Sequence, residues 1–304
     1  MVLRSLLLYL SRQKQLRKWT ETSPAAARLT SRFVAGQSLD EALAVCRRLA
    51  SERILATLDH LGENVAAADE AEASRDAYRK ALSAIGAARL PATASVKLSQ
   101  LGLDVSEELC RSNVEAVVKA ARSAATAVEF DMESSPYVDP TLRMAGEMHR
   151  RHGCVRVAIQ AYLRRSAADV EALNRMRIPV RLCKGAYKEP RETAFPAKAD
   201  VDANYLRLAS RLLEDGEYPA LATHDPRMIE AALEAASRLA LAPERFEFQM
   251  LYGIRRDLQR RLVQSGYRLR LYVPYGNAWY PYFMRRLAER PANLLFLARN
   301  LFRS

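Results

Sequence analysis

The sequence predicts an α/β protein of the (βα)8 TIM-type barrel class, on three observations. Short apolar runs alternate with amphipathic helical segments, as parallel strands joined by right-handed crossovers require. The alternation repeats eight times over roughly 250 residues, the size of one such barrel. Every run reaches polar residues at its C-terminal end, where barrels of this class place their chemistry.

Residues 1–52 read as an N-terminal helical segment packing on or near a barrel that occupies 53–304. Leu3, Leu6, Leu7 and Leu10 recur at helical spacing among Arg4, Arg12, Lys14, Arg17 and Lys18, a basic amphipathic helix that either packs on the core or lies on a membrane or partner. "TSPAAARLTSRFVAG" continues the helical pattern, and "SLDEALAVCRRLASE" opens with Ser38 and Glu41 at capping-box spacing.

The runs are "RILATLDHLGE", "ATASVKLSQLG", "ATAVEFDMES", "CVRVAIQAYL", "IPVRLCKGAY", "PALATHDP", "RFEFQMLYG" and "YRLRLYVPYG". Between them lie helical stretches such as "SNVEAVVKAARSA", "TLRMAGEMHRRH", "SAADVEALNRMR", "ANYLRLASRLLEDG" and "DPRMIEAALEAASRLA". Read to their ends, the runs present Glu63, Lys97, Asp131 with Glu133, Gln160, Arg181 with Lys184, Thr223 with His224, Gln249, and Tyr272. One polar strand end is ordinarily a cap or turn residue. Eight meeting at one barrel mouth point to a site.

After the last run, "AWYPYFMRRLAER" predicts a C-terminal helix over that mouth. If the helix runs from about Pro281, then Tyr282, Arg285 and Arg286 fall at i, i+3 and i+4 and share a face. Two rigid guanidinium forks beside a phenol suit a small planar anion, although alone such a run equally describes a solvated basic face.

Composition narrows the classes. Hydrophobic content of 49% and charged content of 27% are those of an ordinary globular protein. No apolar run reaches the length of about 18 residues that a membrane span needs, and "LLLYL" is followed by basic rather than small residues, so a cytoplasmic location is expected. Cys46, Cys110, Cys154 and Cys183 are far apart, and neither His149 nor His152 belongs to a metal-binding motif, so no disulfide framework and no metal is expected. A formal charge of +12 favours an anionic partner: nucleic acid, an acidic membrane surface or a phosphate-bearing cofactor. The arginines are spread along helices without a nucleic-acid motif, so no nucleic-acid partner is expected. Neither GxGxxG nor GxxxxGK[ST] occurs, and a nucleotide would need another cradle. "RLCKGAY" offers Arg181, Lys184, Gly185 and Ala186 as charge beside closely approachable backbone, and "THDP" adds the hydroxyl of Thr223 and the imidazole of His224.

Together "SVKLSQLG", "EFDME", "VAIQAYLRR", "RLCKGAYKEP", "THDP", "FQMLYG" and "YVPYGNAWYPYFMRRLAERPAN" resemble the flavin-dependent proline dehydrogenases of the short monofunctional bacterial type, in order from about Ile54 to the C-terminus. The resemblance implies oxidation of L-proline to Δ1-pyrroline-5-carboxylate by hydride transfer from proline C5 to N5 of noncovalently bound FAD. It implies that Lys97, Arg285 and Arg286 hold the proline carboxylate, that Tyr272, Tyr282, Leu251 and Ala186 shape the ring pocket, and that Glu63 pairs with Arg285 as a gate. Asp131, Met132, Gln160, Arg181, Lys184, Gly185, Ala186, Tyr187, Thr223, His224 and Gln249 match flavin-lining positions, Arg181 near N5, and Asp131 is the nearest candidate for a base.

The sequence departs from the long relatives at Asp225, where many have Asn, and at Lys188, where they often carry Trp. It shows no likeness to the aldehyde dehydrogenase part of bifunctional relatives, so the product is expected to pass to a separate pyrroline-5-carboxylate dehydrogenase, with a membrane quinone as electron acceptor and peripheral membrane contact through the basic termini. Two other readings stay open on the residues alone: a Schiff-base barrel with Lys184 or Lys97 as amine nucleophile, and a basic acid- or membrane-binding scaffold. A yellow protein separates the first reading from both.

Overall fold

Eight parallel strands close on themselves in chain order, each bonded to the next and β8 bonded back to β1. The computed structural model describes residues 32–62, 65–280, 282 and 284. The strands are β1 (Leu55–His60), β2 (Ala92–Val96), β3 (Val128–Phe130), β4 (Val155–Gln160), β5 (Val180–Cys183), β6 (Ala220–Ala222), β7 (Glu247–Leu251) and β8 (Leu269–Tyr275). Each predicted run contains one of them. The helices are α1 (Leu39–Ser51), α2 (Ala68–Ala87), α3 (Glu107–Ser123), α4 (Val138–His152), α5 (Ser166–Arg175), α6 (Lys198–Asp215), α7 (Pro226–Arg238) and α8 (Arg256–Gln264).

Alternation along the strands sorts the side chains. Leu58, Val96, Phe130, Val157, Leu182, Leu221, Phe248 and Leu271 are buried and belong to the apolar core that the strands share with the helices. Their neighbours face the barrel axis, and here the barrel is unusual: most such interiors are filled by branched apolar residues, whereas this one holds Thr57, Thr93, Ser95, Glu129, Arg156, Arg181, Glu247, Gln249 and Arg270, all buried.

Helix α1 packs against β1 and β8, the position that a helix following β8 would otherwise cover. Its capping box is formed: Glu41 N donates to Ser38 Oγ at 3.3 Å while Glu41 Oε2 accepts from Ser38 N at 2.9 Å. Just before it, Ala35 N donates to Pro274 O at 2.8 Å and Gly36 O accepts from Gly276 N at 3.1 Å, tying the segment to the end of β8. Gly253 secures the same region from the β7 side, because at φ +76° an added Cβ would lie 1.8 Å from Arg32 O. The basic helix expected around Leu3, Leu6, Leu7 and Leu10 with Arg4 to Lys18, Glu63, and most of the C-terminal segment lie outside the described residues. The backbone is helical at Trp279, Tyr280, Tyr282 and Met284, where the C-terminal helix was expected.

Candidate active site

The inward side chains build a charged floor first. Glu247 Oε1 accepts from Arg156 Nη2 at 2.9 Å and from Arg270 Nε at 2.8 Å, and Arg270 Nη2 reaches Glu247 Oε2 at 3.1 Å. Gln249 Nε2 donates to Glu247 Oε1 at 2.8 Å and to Glu129 Oε1 at 3.2 Å. Burial would favour the neutral acid of Glu247, but Arg270 and Arg156 outweigh it and hold the carboxyl well below its usual range. Ions this deep persist only when paired.

The next layer, at the C-terminal ends of the strands, gathers around Asp131. Its carboxylate accepts from Ser95 Oγ at 2.6 Å, from Lys97 Nζ at 3.0 Å, from Tyr272 Oη at 2.7 Å and from Arg181 Nη2. Burial opposes this charge too, yet Lys97 and Arg181 outweigh it, and Asp131 is held far below the ordinary carboxylate range. Lys97 also faces Asp59 Oδ1 at 3.3 Å. Asp59 is fully buried and lacks the second cation that Asp131 has in Arg181, so burial pushes its carboxyl upward. Arg181 spans the mouth: Nη2 donates to Ser95 Oγ at 3.3 Å, Nη1 faces Glu129 Oε2 at 3.3 Å, and the guanidinium carbon lies 5.4 Å from the Tyr272 ring centroid. Burial would weaken its hold on the proton, but Glu129 and Asp131 keep it charged.

These residues divide the mouth by strand. Asp59, Lys97, Asp131 and Tyr272 come from β1, β2, β3 and β8, which are adjacent in the closed sheet. Gln160, Arg181, Thr223 and Gln249 come from β4 to β7, the opposite side. Gln160 reaches across to the first side, its Nε2 donating to Glu133 O at 2.8 Å, and Glu133 in turn accepts from Ser99 N at 3.1 Å and Ser99 Oγ at 2.5 Å. Leu251 N donates to His224 Nε2 at 2.9 Å, pinning the imidazole to β7. Lys184 donates to Asp202 at 2.5 Å and Asp225 at 3.3 Å, and Asp225 also caps α7 by accepting from Arg227 N at 3.2 Å. The departure at Asp225 therefore has a local use as cap and counter-ion. Gly185 has φ +112°, and an added Cβ would stand 2.2 Å from the Tyr162 ring, so the glycine lets this loop lie flat on Tyr162. Ala186, Tyr187 and Lys188 follow on exposed backbone.

The structure thus brings Lys97, Asp131, Arg181 and Tyr272 into one hydrogen-bonded set, with Met132, Gln160, Lys184, Thr223, His224, Gln249 and Leu251 at the ends of β3 to β7. Tyr282 is buried. Glu63, Arg285 and Arg286 lie outside the described residues. The first strand was expected to end at Glu63, whereas β1 ends at His60 and its last inward side chain is Asp59. Ser95, Glu129, Arg156, Glu247 and Arg270 were not among the expected site residues, although polar residues at every second place in "VEFD", "FEFQ" and "RLRLY" carry the signal. Among the described residues no group of three His, Cys, Asp or Glu side chains could hold a metal, and no helix is long and apolar enough to cross a membrane.

Comparison with known proteins bears on what this mouth does. The family model described as proline dehydrogenase matches residues 42–299. Proline dehydrogenase 1 of Bacillus subtilis strain 168 is 38% identical over 303 residues, covering 99% of this chain and 100% of that protein. The proline dehydrogenase of Deinococcus radiodurans is 39% identical over 282 residues, 90% of each chain. Among solved structures, proline utilization A from Bdellovibrio bacteriovorus, inactivated by N-propargylglycine, superposes with a TM-score of 0.81 at 29% identity, over 86% of this chain and 32% of that longer one.

Proposed function

Because the chain belongs to the proline dehydrogenase family, we propose that it oxidises L-proline to Δ1-pyrroline-5-carboxylate with noncovalently bound FAD as hydride acceptor. The observation that carries this reading is Arg181, a buried, charged guanidinium standing where the two halves of the mouth meet. The donor set fits a flavin: Gln160, Arg181, Lys184, Thr223, His224 and Gln249 supply amide, guanidinium, ammonium, hydroxyl and imidazole groups from adjoining strands, with Met132 and the Gly185–Tyr187 backbone beside them. Bound FAD would supply the electron-pair acceptor, taking at N5 the hydride that leaves proline C5.

The chain's own residues do the rest. Lys97, kept charged by Asp59 and Asp131 against the effect of burial, offers one cation to the proline carboxylate, and Arg285 and Arg286 offer two more. Tyr272, Tyr282, Leu251 and Ala186 would bound the ring, and Glu63 and Arg285, which lie outside the described residues, are the pair that the family resemblance assigns to a gate. Fixing the carboxylate fixes C5, and that loss of freedom lowers the barrier to transfer. The ring nitrogen must be neutral when its lone pair forms the C=N bond. Asp131, held ionised by its four donors, is a weak base, so its part is to orient Lys97, Arg181 and Tyr272, while the proline nitrogen gives up its proton to solvent before hydride transfer. Arg181 stabilises negative charge as it develops on the acceptor.

The product passes to a separate pyrroline-5-carboxylate dehydrogenase, and the electrons to a membrane quinone reached from the cytoplasmic face. The +12 charge supports peripheral contact with an acidic surface. FAD-loaded protein supplied with L-proline and a soluble quinone should form one pyrroline-5-carboxylate per quinone reduced. Quinone reduction without that product would contradict the reading.

A further inference from the structure

Glu129 lies one pleat below Asp131 on the inward face of β3 and is fully buried. It stands between two guanidiniums: Oε2 is 3.3 Å from Arg181 Nη1 and Oε1 is 3.5 Å from Arg156 Nε. Oε1 accepts from Gln249, whereas Oε2 makes no hydrogen bond among the described residues and meets Arg181 as a charge alone. Beyond Arg156 come Glu247 and Arg270. Arg181, Glu129, Arg156, Glu247 and Arg270 therefore form a chain of ion pairs of alternating sign inside the barrel, with Arg181 as its member at the mouth.

We propose that Glu129 is a positioning and tuning residue for the oxidation, setting how much positive potential Arg181 presents to the flavin, with Arg156 as its counterweight. The inference rests on the reading that FAD occupies this mouth. Asp131 is already neutralised from the mouth side by Lys97, and Tyr272 and Ser95 donate to it. The charge facing Arg181 from below is that of Glu129, and in a water-poor interior full charges a few ångströms apart act with little screening. Two-electron reduction leaves the flavin more negative than before, so whatever raises the potential at Arg181 favours the reduced form. The chain of charges predicts shifts of opposite sign for the two members next to Arg181: Glu129→Gln removes an anion and favours the reduced flavin, while Arg156→Met unmasks that anion and favours the oxidised flavin.

The test is the two-electron reduction potential of the bound flavin, measured by equilibration with a reference dye, in wild type, E129Q, R156M, R156K and the double variant. Tenfold tighter relative binding of reduced flavin in E129Q, a rise of about 30 mV, is expected, together with a fall of similar size in R156M. R156K should match wild type, and the double variant should return towards it. The dissociation constant of tetrahydro-2-furoate, an unreactive carboxylate, should fall in E129Q and rise in R156M. If E129Q does not fold, the predicted fall in R156M with no change in R156K still decides the matter. Potentials unchanged in both, or shifted in the same direction, overturn the proposal while leaving a flavin that L-proline reduces in wild type. A wild type that takes up no flavin overturns this proposal and the reading beneath it together.

Discussion

Arg181 on β5 and Asp131 at the end of β3 form an ion pair across the barrel mouth in which both partners keep their charge although little of either is exposed to solvent. β4 lies between their strands, so the pair bridges the two halves of the site.

Arg181→Met should therefore lose turnover far more than fold. Removing one preorganised charge-stabilising donor costs about 10²–10³ in kcat, and Lys97, Tyr272 and Ser95 remain to hold Asp131. Steady-state kinetics beside far-UV circular dichroism checks this. Wild-type kcat in a folded Arg181→Met would remove the residue from the mechanism.

Stability should answer differently to the two mouth carboxylates. Asp131 and Glu247 have folded pKa values below their ordinary ones, so each contributes stability above about pH 4 that is lost as the pH falls towards the folded value. Asp59 has a raised pKa and subtracts stability once the pH exceeds its ordinary value. At pH 7, Asp131→Asn or Glu247→Gln should cost about 3–5 kcal/mol, the usual result of breaking a buried pair, and each should flatten the acid limb below pH 4. Asp59→Asn should cost much less. Urea unfolding at pH 7 and at pH 3 measures all three, and equal losses for Asp59 and Asp131 would contradict this ordering.

How much of this was visible in the sequence follows from what each residue has to satisfy. The barrel was legible because the outward positions of every strand, such as Val157 and Leu182, must be apolar to meet the helices. Lys97, Asp131 and Gln160 were legible because they stand where a strand runs out into loop. Glu129, Arg156 and Glu247 were not, because a charge inside an apolar run has no visible partner until closure brings β3, β4 and β7 around one axis. Asp59 was missed for a narrower reason: "LDHLGE" carries two carboxylates, and only the position of the last inward residue distinguishes them.

Arg285 and Arg286 carry a reading that rests on sequence alone. If they grip the substrate carboxylate in ground and transition state alike, replacing either by Met should chiefly raise KM for proline. One lost charge-assisted partner is worth about 1.5–3 kcal/mol, or on the order of tenfold to a hundredfold in KM. Pyrrolidine, which lacks the carboxylate, should bind poorly even to wild type. Pyrrolidine oxidised as well as proline would leave the arginine pair as a solvated face.

Contact with an acidic membrane should be sensitive to salt, since it would draw on the +12 charge and the basic, leucine-bearing termini. Sedimentation with anionic vesicles should exceed that with neutral ones at low ionic strength and decline as salt is added. Equal sedimentation with both would leave the termini without a lipid role.

If L-proline delivers its electrons to a flavin seated against Arg181, an anaerobic titration of FAD-loaded protein will display the transfer. Stepwise addition of L-proline should bleach the oxidised flavin spectrum to completion in wild type, and the rate of bleaching should fall by about 10²–10³ in Arg181→Met. A protein that takes up no flavin, or a bound flavin whose spectrum L-proline leaves oxidised, would mean that this mouth does not oxidise proline through a flavin.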